Sequence, residues 1–373
     1  MKTAINIARF LVGGLFIFSG LVKAIDPLGL GYKMQEFFEA WASSGFLPGL
    51  MTAMHSQALL FSIFIITLEV IVGVALLIGW RKNFVLGLLL LLTLFFTFLT
   101  AYVLFSGKIR ACGCFGDCIP LTPLQTFTKD IILLGLIIFI IIGKKHIQPF
   151  FKDGVGGLLV FASLLGATFL QFYVLKHLPL RDCLPYKKGN NILELRKMPA
   201  NAIADEYSYV FVYEKNGEKK EFGTDNLPDS SWTFSDRKQN LVKAGKNNIP
   251  LINDFSLADS TGANVTETIL GQTGVYYLFF LQNMNDGNNR WSTAFADLWK
   301  KAQSLNRPIY IITSGREKVN EFFNVMNQYN IPVLTSDATA IKTAARANPT
   351  LFVMEGPVVQ DKFSWADLDK ATR

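Results

Sequence analysis

Long runs of apolar residues constrain the fold of this chain more than any other feature, and they all lie in its first half. Five runs stand out, at residues 5–25, 59–79, 84–105, 124–143 and 155–175. An α-helix rises about 1.5 Å per residue, so each run is long enough to cross roughly 30 Å of hydrocarbon. The sequence therefore predicts an all-α transmembrane bundle over residues 1–178, embedded in a lipid bilayer.

Positive residues in the short connections predict the orientation of this bundle. Lys2, the turn at Arg81 and Lys82, and the three lysines of residues 144–152 all fall on one side, which the positive-inside rule makes cytoplasmic. The first run reaches Asp26 without a small-residue cleavage site, which indicates a signal anchor. We expect a multi-pass protein of the inner (plasma) membrane, with a cytoplasmic N-terminus and a periplasmic, extracytoplasmic C-terminal half.

The basic residues do not indicate a nucleic-acid-binding protein. The formal net charge is +7, but many of these residues flank the apolar runs. They do not form a stripe interleaved with aromatic residues on a soluble element, which is the pattern of a nucleic-acid interface. We expect no nucleic-acid partner.

The second half of the chain has the composition of a soluble α/β protein. Residues 179–249 are expected to form an exported linker and a small β subdomain, with a tight hairpin turn at Asn216 and Gly217. Over residues 250–373, short strands alternate with helices and the chain then makes a hairpin. This order predicts a parallel core with an antiparallel edge.

Residues 276–280, 308–313 and 348–353 resemble the thioredoxin fold, in its peroxiredoxin-like and thiol-oxidoreductase branch. The resemblance implies that Pro349 is a cis-proline. Such proteins carry Cys-x-x-Cys between the first core strand and its helix, whereas residues 283–290 of this chain contain no cysteine. Because disulfide exchange needs a thiolate and a resolving partner, we expect that this domain cannot perform it unaided.

The cysteines are the main candidates for chemistry. The chain has four, Cys112, Cys114, Cys118 and Cys183, and the expected topology places all of them in an oxidising compartment. They permit three pairings, and the sequence does not select one. Two structural disulfides are one interpretation. Redox catalysis is another, in which Cys112 and Cys114 form a strained, oxidising ring that Cys118 resolves. A zinc or iron–sulfur site is a third, although the spacing is not that of paired Cys-x-x-Cys ligands.

The cysteine segment at residues 110–118 and residues 18–24 of the first run resemble the DoxX-like and MauE families of membrane proteins, over about residues 1–145. MauE is associated with the maturation of methylamine dehydrogenase, a periplasmic enzyme rich in disulfides, and acts alongside a thioredoxin-like partner. The resemblance implies a membrane component of exported disulfide handling. Its partner would be an exported client protein or a periplasmic redox protein, and nothing makes methylamine its substrate.

Three ionisable residues inside or next to the apolar runs form a second candidate site. These are Lys23, Glu69 and Asp130. A charge in hydrocarbon costs several kcal/mol unless it is paired or solvated, so such residues are rarely accidental. One interpretation is a set of interhelical contacts that fix the packing of the bundle. The other is a polar cavity that opens outward and binds a quinone or moves protons.

Three hypotheses of function remain open on the sequence. In the first, the chain is a membrane-anchored component of extracytoplasmic thiol–disulfide homeostasis or protein maturation, and the loop of Cys112, Cys114 and Cys118 passes electrons to a quinone. In the second, it is a non-catalytic adaptor or assembly protein whose thioredoxin-like domain binds a partner. In the third, it is a DoxX-like, quinone-linked oxidoreductase subunit that acts on a small sulfur compound.

Overall fold

The structure is a computed structural model that describes residues 1–109, 113, 115–243, 245–282, 284 and 290–372. The helices of its first half are α1 (Lys2–Ala24), α2 (Pro27–Ser43), α3 (Pro48–Ser56), α4 (Ala58–Ile78), α5 (Lys82–Ser106), α6 (Pro123–Ile142) and α7 (Asp153–His177). Five of them, α1, α4, α5, α6 and α7, are long and apolar enough to cross a membrane. The predicted bundle of five transmembrane helices is confirmed, and the protein is integral to a membrane.

The connection between the first two spans forms the helices α2 and α3, which the apolar runs did not predict. Asp26 caps α2, because its side chain accepts a hydrogen bond from the Gly29 N–H, and Pro27 occupies the first helical position. The buried face of α2 includes Leu30, Met34 and Phe37, spaced three or four residues apart. This helix packs against α4 and brings polar residues to the end of the bundle that carries the second half of the chain.

Glycines allow α1 and α4 to approach each other closely. A Cβ added at Gly73 would lie 2.8 Å from the Gly13 carbonyl oxygen and 3.0 Å from the Ile17 nitrogen. Small residues at such crossings let two helix backbones come into contact. The crossing holds Lys23 of α1 and Glu69 of α4 within the same bundle core.

Gly73→Ala is therefore expected to destabilise the bundle by about 1–3 kcal/mol, because the added methyl group meets backbone atoms that cannot rotate away. The matched control is Gly14→Ala, since a Cβ at Gly14 has nothing within 4 Å. Both substitutions raise helix propensity equally, so their difference isolates the close contact. Thermal unfolding of the purified protein in detergent measures it. Equal unfolding temperatures for the two variants would contradict the packing at this crossing.

The elements of the second half are α8 (Ile192–Leu195), β1 (Glu206–Lys215), β2 (Glu218–Gly223), β3 (Thr233–Lys243), α9 (Thr266–Leu270), β4 (Val275–Phe280), α10 (Ser292–Ser304), β5 (Ile309–Thr313), α11 (Arg316–Asn320), β6 (Val333–Thr335), α12 (Ala338–Ala344), β7 (Thr350–Glu355), β8 (Val358–Ser364) and α13 (Leu368–Thr372). Five strands form one sheet in the order β6-β5-β4-β7-β8. Strands β4, β5 and β6 are parallel, and β7 and β8 are antiparallel. This is the thioredoxin-like α/β domain that the sequence predicts.

The segment after α7 contributes to the core of this domain. Tyr186 and Ile192 are buried beside Phe255 and Phe280 on one face of the five-stranded sheet. The Ile192 N–H also donates a hydrogen bond to the Pro357 carbonyl oxygen, at 2.9 Å. Only a short connection therefore separates the end of α7 from the α/β domain, which holds that domain close to the bundle.

A separate three-stranded sheet, in the order β2-β1-β3, forms the small β subdomain. Its first hairpin turns at Asn216 and Gly217, both of which have positive φ, as the sequence predicts. Strand β3 was not predicted, because all of its residues are exposed and its sequence shows no alternation of apolar and polar residues.

Candidate functional site at the junction of the two halves

A disulfide joins Cys118 to Cys183, which is one of the three pairings that the sequence left open. Cys118 lies between α5 and α6, and Cys183 lies in the connection after α7. Thr122 and Gln125 form a capping box at the start of α6, which fixes the end of the Cys118 loop. Cys112 and Cys114 lie outside the described residues.

Arg346 of the α/β domain connects that domain to the bundle. Its Nε donates to Asp26 Oδ2 at 2.9 Å, and a terminal guanidinium nitrogen donates to Asp117 Oδ2 at 2.8 Å. The arginine side chain is only 5% exposed. Asp117 directly precedes Cys118, so this pair of ionic contacts fixes the α/β domain against the Cys118 loop.

The surroundings of Arg346 perturb two neighbouring groups. Burial raises the pKa of the Asp26 carboxyl, Arg346 opposes the shift, and the nearby Asp117 adds to it. Burial also raises the pKa of the Tyr32 phenol, whose ring centre lies 5.2 Å from the Arg346 guanidinium carbon. The junction therefore contains a partly buried acid next to the cysteine loop.

The part of the α/β domain that faces the bundle is defined here as the cis-proline edge, consisting of Gln282 and residues 345–349. The Asn348–Pro349 peptide bond is cis, and the Gln282 N–H donates to Asn348 Oδ1 at 2.8 Å. Gln282 also forms a side-chain hydrogen bond with Tyr32 of α2. The Cys-x-x-Cys of the families that this domain resembles would follow β4, directly after Gln282. The cis-proline edge, which has no thiol, thus lies against the bundle.

The cysteine segment also contacts α2. A Cβ added at Gly113 would lie 3.2 Å from Lys33 Cγ. Gly113 stands between Cys112 and Cys114 in the sequence, and Lys33 forms an ion pair with Glu36 at 2.8 Å. A lysine of α2 therefore lies beside this part of the cysteine segment.

A further ion pair and a side-chain hydrogen bond flank the connection between the halves. Lys362 Nζ lies 2.7 Å from Asp182 Oδ2, next to Cys183 in sequence, and burial lowers the pKa of Lys362 while Asp182 opposes that shift. His177, at the end of α7, lies 2.8 Å from Asp367 Oδ2. Together with Arg346, these contacts hold the α/β domain on the bundle from several directions.

A cleft of about 480 Å³ lies between α2 and α12. It is lined by residues of the bundle, of the connection after α7 and of the α/β domain, among them Tyr32, Glu36, Cys183, Leu184, Leu251 and Lys342. Cys183, one half of the disulfide, therefore belongs to the wall of a space that both halves enclose.

The three predicted intramembrane residues line one small cavity. Lys23 and Glu69 form a buried ion pair, and Asp130 contacts Lys129 at 2.7 Å and accepts a hydrogen bond from Thr100 at 3.0 Å. The cavity measures about 20 Å³, which is room for about one water molecule. Phe115 of the cysteine loop also lines this cavity.

A larger groove lies between α1 and α6. It measures about 580 Å³ and is mostly apolar, with polar residues contributed by the first turns of α6. Its lining includes Leu11, Leu15, Gln125, Thr128, Lys129 and Leu133. Leu15, Lys129 and Leu133 line the small cavity as well, so the groove adjoins the polar cluster.

Within the described ranges, no group of three or more His, Cys, Asp and Glu side chains is arranged to hold a metal ion. Cys112 and Cys114 fall outside that search. Sequence patterns did not identify Arg346, Asp26, Asp117 or Tyr32 as candidate site residues. Their role depends on contacts between the two halves, and the only local signals were the proximity of Asp117 to Cys118 and of Arg346 to Pro349.

Fold and site together define a membrane protein in which a helical bundle with a cysteine loop carries a thioredoxin-like domain. The family model for the methylamine utilisation protein MauE matches residues 1–143, and a domain of unknown function matches residues 207–244. The resemblance of the membrane half to MauE is thereby confirmed. The DoxX likeness stays a prediction.

Two individual proteins are also similar to this chain. Protein TlpB of Flavobacterium psychrophilum is 32% identical over 191 residues, which cover 49% of this chain and 45% of TlpB. The chain thus matches less than half of the length of that relative. The crystal structure of peroxidoxin BcpB from Mycobacterium tuberculosis matches with 23% identity and a TM-score of 0.26, covering 32% of this chain and 90% of that one.

Proposed function

We propose that the protein is a membrane-anchored component of thiol–disulfide exchange outside the cytoplasm, acting in thiol homeostasis or in the maturation of exported proteins. The observation that carries the proposal is the position of the cis-proline edge. That edge has no thiol of its own, and Arg346 fixes it to the loop that contains Cys118. The bundle and the connection after α7 supply the cysteines, and the α/β domain supplies a surface beside them.

The charges at the junction support this chemistry. A thiolate is the nucleophile in disulfide exchange, and neighbouring cations lower the pKa of a thiol. Lys33 lies beside Gly113, and Arg346 contacts the residue before Cys118. Asp26, whose pKa burial raises, shares Arg346 with Asp117 of the Cys118 loop and is a group that can accept or return a proton there.

The orientation is part of the proposal. Basic residues cluster at Lys2, Arg81 and Lys82, and residues 144–152, which favours a cytoplasmic location for that end of the bundle. The junction then faces the periplasm, and the membrane is the inner one. A reporter that is active only outside the cytoplasm should work when it is fused at the C-terminus and fail when it is fused at Lys145. The reverse pattern would contradict the orientation and the oxidising environment.

The functional test uses cysteine variants in cells that lack the wild-type gene. Cys114→Ser should abolish the protein's contribution to the oxidation of exported proteins, because it removes one thiol of the loop that contains Cys112, Cys114 and Cys118. The redox state of exported proteins is followed by thiol alkylation and gel shift, and the membrane content of each variant is followed by immunoblotting. Cys183→Ser is expected to be milder if Cys183 is only a structural bridge. Full activity of all four single Cys→Ser variants, or a loss that parallels loss of protein, would overturn the proposal.

A quinone is the electron acceptor that we propose for this system. The groove between α1 and α6 has the size of a ligand site, about 300–1,000 Å³, whereas the cavity of Lys23, Glu69 and Asp130 has room for little more than a water molecule. Apolar residues such as Leu11 and Leu133 would hold an isoprenoid tail, and Gln125 and Lys129 would bind a polar head group. A bound quinone would accept two electrons.

The adaptor hypothesis is the second candidate, and the Cys118–Cys183 disulfide favours it. This bond joins the loop before α6 to the connection after α7. It therefore restrains the α/β domain, which is the role of a structural disulfide. In that case the domain binds a partner and none of the cysteines turns over. The set of Cys→Ser variants described above separates the two candidates.

A further inference from the structure

The Cys118–Cys183 disulfide is partly accessible to solvent at the junction of the two halves. Cys183 lines the cleft of about 480 Å³ between α2 and α12, and both half-cystines are partly exposed. Leu251, which is 68% exposed, lines the same cleft. A concave site of this size with an accessible disulfide in its wall has the features of a binding surface.

We propose that this cleft binds a cysteine-bearing segment of a client polypeptide and that the client thiolate attacks Cys183 Sγ. The inference rests on the proposed thiol–disulfide function and specifies its substrate class and the sulfur atom that the substrate meets. It makes the Cys118–Cys183 pair the one that faces the client.

The lining of the cleft favours a polypeptide over a small sulfur compound. Its volume lies in the range of sites for larger ligands, about 300–1,000 Å³, and exceeds what a single small thiol fills. Tyr32, Leu184 and Leu251 offer apolar contacts, and Glu36 and Lys342 offer opposite charges. A polypeptide segment carries apolar side chains, polar side chains and backbone amides, which match this mixture.

The exchange balances without another reagent. The client thiolate forms a bond to Cys183 Sγ, the bond between Cys183 and Cys118 breaks, and Cys118 leaves as a thiolate. A second client thiolate then attacks the client sulfur and releases the Cys183 thiolate. The client loses two electrons and two protons in forming its disulfide, and the Cys118–Cys183 pair gains the two electrons and is protonated. Arg346 pairs with Asp117 next to Cys118 and so offsets the negative charge of that carboxylate beside the leaving thiolate.

The test uses full-length chains that retain a single cysteine. One chain keeps Cys183 and the others keep Cys118, Cys112 or Cys114, with serine at the remaining positions. The probe is a short peptide whose one cysteine is capped as a mixed disulfide with a chromophoric aromatic thiol. The comparison probe is free cysteine with the same cap. Release of the chromophore gives the rate of attack, and mass spectrometry identifies the adduct.

The chain with Cys183 should react with the peptide at least about tenfold faster than with capped cysteine, because binding in the cleft places the sulfur atoms together. Leu251→Asp should remove this preference, so that the ratio of the two rates falls to about one. Leu227→Asp is the matched control, because Leu227 is also exposed and is not among the residues that line the cleft. Chains that keep another cysteine should show no preference for the peptide.

Because the single-cysteine chains lack the disulfide, the wild-type chain provides an independent measurement. A peptide dithiol should reduce its Cys118–Cys183 bond faster than a small dithiol of equal reducing strength, and Leu251→Asp should abolish the difference. Equal rates for peptide and small thiol, or a preference located at Cys112 or Cys114, would overturn this inference and leave the proposed function standing. Lack of reaction at any cysteine with either probe would overturn both.

Discussion

Arg346→Met is expected to release the α/β domain from the bundle. Methionine has a similar length but no charge, so the carboxylates of Asp26 and Asp117 would remain close together without their shared cation. Removing one partner of a buried ion pair typically costs about 3–5 kcal/mol. The measurement is the rate at which a protease cuts the connection at residues 178–185 in the purified full-length protein, and we expect a large increase.

Two controls make this result specific. Arg237→Met removes an arginine from the exposed strand β3 and should leave the protease pattern unchanged. Adding Asp26→Asn and Asp117→Asn to Arg346→Met should restore much of the docking, because neutral amides do not repel each other. If Arg346→Met is cut at the wild-type rate, these ion pairs do not hold the junction.

The release should also depend on pH in a defined direction. Burial already raises the pKa of Asp26, and loss of Arg346 removes the cation that opposes this shift. The docked state of the variant therefore binds a proton on Asp26 more tightly than the released state does. Docking should weaken as the pH rises through the raised pKa and recover as the pH falls towards the ordinary pKa of an aspartate, about 3.9.

Lys23→Met is expected to have a comparably large effect inside the membrane. It would leave the Glu69 carboxylate without its ion-pair partner in the bundle core, where both side chains are 2% exposed. The expected loss of stability is about 3–5 kcal/mol, and Glu69→Leu alone should cost a similar amount. The double variant Lys23→Met and Glu69→Leu should recover most of the stability, since it leaves no unpaired charge.

The two single variants and the double variant form a double-mutant cycle with the wild-type protein. The stability of each is measured as the fraction that remains folded after heating in detergent. A coupling energy close to zero, with the two single effects simply adding, would show that Lys23 and Glu69 act independently. The cycle also separates the two interpretations of this cluster. A double variant that is stable but inactive would assign the pair to function, and one that is stable and active would assign it to packing.

Local sequence signals predicted much of this fold. The five spans followed from runs of apolar residues, and the strand β4 and its neighbours followed from short apolar runs between turns. The helix α2 was missed because Lys33, Glu36 and Glu39 interrupt its apolar residues, so that no continuous run appears. Its spacing of Leu30, Met34 and Phe37 was the available signal.

The candidate site was predictable in part. Its cysteines are visible as a motif, and Lys23, Glu69 and Asp130 are conspicuous because charges are rare in apolar runs. Arg346 and Asp117 are separated by 229 residues, and nothing in either local sequence indicates the other. Contacts between distant segments arise from the docking of two folded units, which single-sequence patterns do not encode.

The most direct measurement of the proposed function follows the sulfur atoms themselves. Purified full-length protein in lipid vesicles is mixed with a reduced dithiol peptide, quenched in acid, alkylated and analysed by mass spectrometry. The thiol–disulfide proposal predicts that cysteines of the protein become alkylated as the peptide gains an equal amount of disulfide. Client attack in the cleft predicts in addition that these are Cys118 and Cys183, which are linked at the start. A peptide that stays reduced, while all four cysteines keep their initial states, would contradict it.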